Sequence, residues 1–173
     1  MNIGTGWELL GDWNYPTAIR FGSGRVQELP DACTKAGVAR PLLITDPGLA
    51  ASEMVQNALK LCTDAGLPTA CFSEVASNPI ASNVADGVAA YRAGSHDGVI
   101  AFGGGSTMDV ARATALMVGQ CRPIWDFEDR EDWYLRADAN AIAPIVAVPT
   151  TAGTGSEVGR VAVITDEAAR CKK

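Results

Sequence analysis

The sequence contains a single histidine, His96, among 173 residues. A zinc or iron site built from several imidazoles therefore cannot be assembled from this chain. The context of that histidine, AGSHDGVIAF, reads as a solvent-exposed polar turn before a strand. The five cysteines (Cys33, Cys62, Cys71, Cys121, Cys171) are odd in number and never spaced C-x-x-C. They read as reduced, mostly buried thiols, and a catalytic cysteine would have only His96 as its base. Charged residues make up 20% of the chain, too few for a disordered segment. The net charge of -6 argues against nucleic acid or an anionic membrane as partner. No apolar run is long enough to span a bilayer. The opening MNIGTGWELLGDW lacks a basic region leading into an apolar one, so it is not read as a signal peptide. A cytoplasmic protein is expected.

What is present is apolar and periodic. Hydrophobic residues reach 47%, enough for the core of one domain. TAIRFG (17–22) reads as a short strand, and residues 25–36 as a helix ended by Gly37, or as a turn followed by a helix with Pro30 at its first position. PLLITD (41–46) is a buried strand. Residues 52–65 form a strong helix, with Met54, Ala58, Leu61 and Ala65 as one stripe and Val55, Leu59 and Cys62 beside it. TACF (69–72), GVIAF (98–102) and PIVAVP (144–149) read as further strands, the last buried. Residues 82–93 and 106–117 read as helices, and VAVIT (161–165) as one more strand. Continuous apolar strands separated by amphipathic helices predict an α/β domain, an open, doubly wound and mainly parallel sheet covered on both faces. WDFEDREDWYLRADAN (125–140) breaks the pattern as an acidic, aromatic excursion, either a solvated loop or a cleft lining. The chain stops at CKK without a closing helix, so the domain is expected to be truncated near its C-terminal end.

Ligands of such sheets bind at the carboxyl ends of the strands, and three loops there carry candidate chemistry. Gly103-Gly104-Gly105-Ser106 follows a strand and opens a helix, where unpaired N–H groups and bare backbone suit a diphosphate. It is neither G-x-G-x-x-G nor a Walker loop, and a tight turn with Ser106 and Asp109 as a capping box is the competing reading. Asp46, at a strand tip, can accept hydrogen bonds from ribose hydroxyls and would repel a 2′-phosphate, favouring NAD over NADP. It can equally be a loop aspartate beside Pro47 and Gly48. PTTAGTGSE (149–157) gathers hydroxyls and glycines for a nucleotide site, or runs into a helix capped by Thr154 and Glu157. Together the three loops point to a nucleotide-binding α/β domain.

YPTAIRFGSG, LLITDPGL, the SNP of Ser77 to Pro79, FGGGSTMDVARA, and PIVAVPTTAGTGSEV followed by AVITDE cover nearly the whole chain. In this order and spacing they resemble the iron-dependent (group III) alcohol dehydrogenases. The resemblance implies an NAD(P)-dependent oxidoreductase interconverting small alcohols with aldehydes or ketones, with a Rossmann-like N-terminal domain, a C-terminal all-helical domain and a divalent metal, iron or zinc, between them. It implies that Asp46 holds the adenosine ribose. Gly104, Gly105 and Ser106 would hold the diphosphate, Gly103 would shape the turn, and Asp109 would support the helix start. Thr150, Thr151 and Thr154 would line the adenine and nicotinamide side of the cleft. Val163 and Lys172 match further cofactor-contacting positions, and Asn78 would sit near the cofactor.

The family's metal ligands lie beyond the GTGSE region, so residues 1–173 are expected to be the cofactor-binding part alone, with no catalytic or metal-ligating residue and no alcohol oxidation by this chain by itself. The chain could self-associate as a homo-oligomer. Competing expectations are a glycerol-like polyol dehydrogenase, a maleylacetate-reductase-like or dehydroquinate-synthase-like enzyme of the same fold, and a nucleotide-binding module without catalysis.

Overall fold

A computed structural model describes residues 17–173. The polar start, and Tyr15 and Pro16 of the YPTAIRFGSG stretch, lie outside the described residues. The chain enters through an extended segment and a 3-10 turn (Arg25–Glu28) into α1 (Leu29–Lys35), with Pro30 in the first turn, where its missing N–H is not needed. Then follow β1 (Pro41–Ile44), the single turn α2 (Pro47–Ala50), α3 (Glu53–Asp64), β2 (Ala70–Phe72), α4 (Ala81–Ala93), β3 (Gly98–Gly103) and α5 (Gly105–Met117). An excursion of three 3-10 turns leads to β4 (Ile145–Pro149), and the chain closes on a small hairpin, β5 (Thr165–Asp166) and β6 (Cys171–Lys172).

The four main strands form one parallel sheet in the order β2-β1-β3-β4. Side chains alternate across a strand, and the sheet is covered accordingly. Leu42, Ile44, Val99 and Ala101 pack with Met108, Val110, Ala111 and Ala115 of α5, with Ala90 and Tyr91 of α4 beside them. Leu43, Ile100 and Phe102 face the other way, onto Leu29 and Cys33 of α1 and Val55, Ala58 and Cys62 of α3. The fold is thus the expected doubly wound, Rossmann-like sheet. Each fully buried Leu, Ile or Val contributes roughly 1.5–3 kcal/mol, so β1 and β3 are its rigid centre.

Several expectations need correction. TAIRFG is not a strand among the described residues: Ile19 and Phe21 are 66% and 92% exposed, and Arg20 is held by Glu28 and Asp31. The buried stripe of α3 is Val55, Ala58 and Cys62, while Met54 is exposed. A one-residue shift turns a helix by about 100°, and the smaller side chains let α3 lie close to α1. Among the described residues PIVAVP is an edge strand and only half-buried, because β3 pairs with one side of it and no described strand pairs with the other. Of VAVIT only Thr165 belongs to a strand. Two cysteines, Cys33 and Cys62, are buried, and the other three are exposed. Cys71 lies in the edge strand β2, Cys121 in the loop after α5 and Cys171 at the start of β6, each with one side open to water. His96 lies half-buried in its turn, its Nδ1 at 3.1 Å from the Arg40 carbonyl.

Candidate functional site

Chain direction creates the site. From β1 the chain moves outward to β2, then returns through α4 to the opposite side of β1 as β3. A crevice opens where the order reverses, outside the carboxyl ends of β1 and β3. Ile44 is in register with Ala101, so Asp46 and Gly103, two residues further along each chain, stand at the same level above the sheet.

The β3–α5 turn is built for close approach. A Cβ on Gly103 would lie 2.5 Å from Thr107 Oγ1, so no side chain fits. Gly104, not Ser106, is the N-cap of α5, and no side chain caps it. The capping-box expectation is therefore overturned. Ser106 is a first-turn residue whose hydroxyl donates to the Ser77 carbonyl at 2.6 Å, and Asp109 is engaged elsewhere. Without a side-chain cap, the first-turn N–H groups present the positive end of the helix toward the crevice.

The loop after β4 folds over this turn. Pro149 is in register with Gly103, and the Thr150 amide donates to the Gly103 carbonyl at 2.9 Å. A Cβ on Gly104 would stand 3.1 Å from Thr151 Oγ1, and one on Gly105 would stand 3.6 Å from Thr154 Cγ2 and 3.7 Å from Ser156 Oγ. No helix follows Thr154. Gly153 and Gly155 take positive φ (92° and 66°), and the Ser156 amide donates to Thr154 Oγ1 at 3.3 Å, so the expected helical cap is a compact turn.

Across the crevice, Asp46 is the N-cap of α2, its Oδ1 accepting from the Leu49 amide at 3.0 Å. The SNP loop forms a third side. Asn78 is exposed between Ser77, which receives the Ser106 hydroxyl, and Pro79, whose carbonyl accepts the Thr165 amide at 2.7 Å.

Asp109, Val163 and Lys172 are brought together away from the glycine turn, one helical turn along α5. The Asp109 side chain is 13% exposed. Its pKa is held above the ordinary carboxylate value by burial, opposed by the Val163 amide and by the Arg112 and Lys172 charges. Arg112 lies 3.7 Å from Asp109 Oδ1. Residues missed by the sequence reading are Ser77, Ser156 and Arg112. The spacing of Arg112, three residues after Asp109, was the available signal.

A second concavity, about 360 Å³, lies on the β4 side, walled by the excursion (Trp125, Phe127, Tyr134) against Ala113, Ile145 and Ile164. None of the glycine turn or residues 150–154 lines it, so it is separate from the crevice. The acidic, aromatic excursion is thus a cavity wall, braced by Arg136 over the Trp133 ring at 3.9 Å. Among the described residues no three His, Cys, Asp or Glu side chains gather to hold a metal ion, and no helix is long and apolar enough to cross a membrane.

Comparison with known proteins agrees with this geometry. The protein-family model for iron-containing alcohol dehydrogenase matches residues 16–173. The chain belongs to this family. It is 39% identical over 150 residues to 4-hydroxybutyrate dehydrogenase of Cupriavidus necator, covering 87% of this chain and 38% of that protein. The crystal structure of 1,3-propanediol oxidoreductase superposes with a TM-score of 0.84 at 32% identity, over 94% of this chain and 41% of the other. Sulfoacetaldehyde reductase from Bifidobacterium kashiwanohense, crystallised with NAD+, gives 0.80 at 31% identity, over 95% and 42%. The chain therefore spans about two fifths of the length of these family members.

Proposed function

We propose that residues 1–173 form the dinucleotide-binding part of an NAD-dependent alcohol dehydrogenase. The activity is hydride transfer between a small alcohol and its aldehyde or ketone. The observation that carries the reading is the uncapped glycine start of α5, overhung by the Thr151 and Thr154 loop, at the sheet's switch point. NAD, when bound, supplies the hydride acceptor. The chain's own residues bind and orient it. Backbone N–H groups of Gly104, Gly105 and Ser106 hold the diphosphate, and Gly103 lets α5 begin at that level. Asp46 accepts from the adenosine ribose and disfavours a 2′-phosphate, making NADP the weaker ligand. Thr150, Thr151 and Thr154 close over the cofactor, with Asn78, Val163 and Lys172 along the far side.

The family's divalent metal does not fit residues of this chain: one histidine is available, and no acidic or thiol cluster joins it among the described residues. Calorimetric titration with NAD, NADP and ATP tests the reading. NAD should bind more tightly than NADP and lose affinity on Asp46→Ala. Absence of binding by all three would refute it.

A further inference from the structure

The VAVIT segment behaves as a strand whose partner is made of side chains. Along one edge the Val161 carbonyl accepts from Arg112 Nη1, the Val163 amide faces the Asp109 carboxylate and favours its charge, and the Thr165 amide donates to the Pro79 carbonyl. On the opposite edge Ile164 exchanges both bonds with Lys173, at 2.8 and 2.9 Å. This alternation is that of a β-ladder, in which the carbonyl of one residue and the amide of the second residue on point the same way. Asp109 and Arg112, three residues apart on one face of α5, take the place of one residue of a neighbouring strand. The faces alternate too. Ile164 is buried against Val84 and Ala113, with Ala162 packed beside it, while Val161 and Val163 are turned outward, 44% and 40% exposed.

We infer that Asp109 and Arg112 are positioning residues of the cofactor cleft, clamping residues 161–163 to α5 so that Val163 is presented to the dinucleotide. The inference rests on the cofactor reading above and adds a mechanism to it. The helix that receives the diphosphate at its start fixes the opposite wall one turn later, so the spacing between the two is set by a single rigid element. A role confined to fold stability would leave Val163 no special part in the effect of Asp109.

The test is a double-mutant cycle on the full chain, read by NAD titration, with amide hydrogen exchange at Val163 as a second measurement. Asp109→Ala and Arg112→Ala should each weaken NAD binding about tenfold, the scale of a lost charge-assisted hydrogen bond. They should also release the Val163 amide to exchange. Asp109→Asn and Arg112→Lys, which keep an acceptor and a donor, should recover most of both. In a Val163→Ala background, Asp109→Ala should add less than twofold, because coupled residues are non-additive. Additive losses, or unchanged NAD affinity in both alanine variants, would overturn the inference. Where an alanine variant does not fold, the same cycle run with Asp109→Asn and Arg112→Gln decides, with no coupling to Val163 as the refuting result. Failure of the unsubstituted chain to bind NAD would instead sink the cofactor reading, and this inference with it.

Discussion

Gly105→Ala separates a phosphate cradle from a tight turn, because the two readings give it opposite signs. The added Cβ would meet Thr154 Cγ2 at 3.6 Å and Ser156 Oγ at 3.7 Å, ordinary van der Waals distances, so nothing in the protein has to move. Gly105 is the first residue of α5, where alanine is the better helix former. Replacing glycine at a compatible position stabilises by about 0.4–1 kcal/mol through the unfolded state. A tight turn alone therefore predicts an equal or slightly higher melting temperature and nothing else. The cradle predicts more. The methyl would stand between the helix start and the loop of Thr151 and Thr154, in the space the diphosphate is proposed to use. Displacing one hydrogen bond to a charged oxygen costs about 1.5–3 kcal/mol, a fall in NAD affinity of roughly 10- to 150-fold. Thermal melts and calorimetric titration of the same sample provide both numbers. Affinity within twofold of the parent chain, at unchanged stability, would refute the cradle.

Gly103→Ala should behave differently: its Cβ would collide with Thr107 at 2.5–2.9 Å, so destabilisation of about 1–3 kcal/mol should appear in the denaturant midpoint before any binding effect. Thr114→Val should stabilise by about 1 kcal/mol, since the Thr114 hydroxyl is buried without a hydrogen-bond partner and valine keeps the β-branched shape; a lower midpoint would contradict this. Asp46→Asn retains the cap on α2 while removing the charge, so the NADP-to-NAD affinity ratio should rise with little change in melting temperature. Asp166 is held below the usual carboxylate range by the Ala169 amide and then by Lys173. A depressed acid contributes fully above its unfolded value, near 3.8, and loses that contribution as pH falls further. The Ile164 amide, bonded to Lys173, should therefore lose protection in acid, and in Asp166→Asn already at neutral pH.

The parts of the molecule legible in sequence are those whose signals are local. Ser52 caps α3 through the Val55 amide, and Gly66, with φ 81°, follows its end; both marks lie beside the helix they bound. The buried runs PLLI and GVIAF could be read as central parallel strands because burial on both faces leaves no polar position in them. The strand tips then placed Asp46 and the glycine turn at one end of the sheet without any knowledge of strand order. The errors share the opposite property. Ser106 fits a capping pattern locally, but its hydroxyl goes to Ser77, 29 residues away. PIVAVP looks central but has one neighbour among the described residues, a matter of sheet order that apolar content does not encode. VAVIT reads as a strand, but only Thr165 joins one, and the edge of residues 161–163 is met instead by Arg112 and Asp109, about 50 residues earlier, in a segment whose own pattern is plainly helical.

That last case bears on how the crevice is held. In this fold the strand tips are fixed by the sheet, so the turn at Gly103 and the loop at Thr150 inherit rigidity from β3 and β4. Residues 161–165 have no such anchor, because β4 lies between them and the sheet's centre in sequence and they join no ladder of it. Their position must come from elsewhere, and the bonds that provide it come from α5 and the SNP loop, the same two elements joined by the Ser106–Ser77 hydrogen bond. The helix start, the SNP loop and the outer wall are therefore mechanically one unit. A change that loosens any one of the three should be felt at the other two, whereas Asp46, two residues past the end of β1 at the start of α2, should be insulated from it by the pairing of β1 with β3.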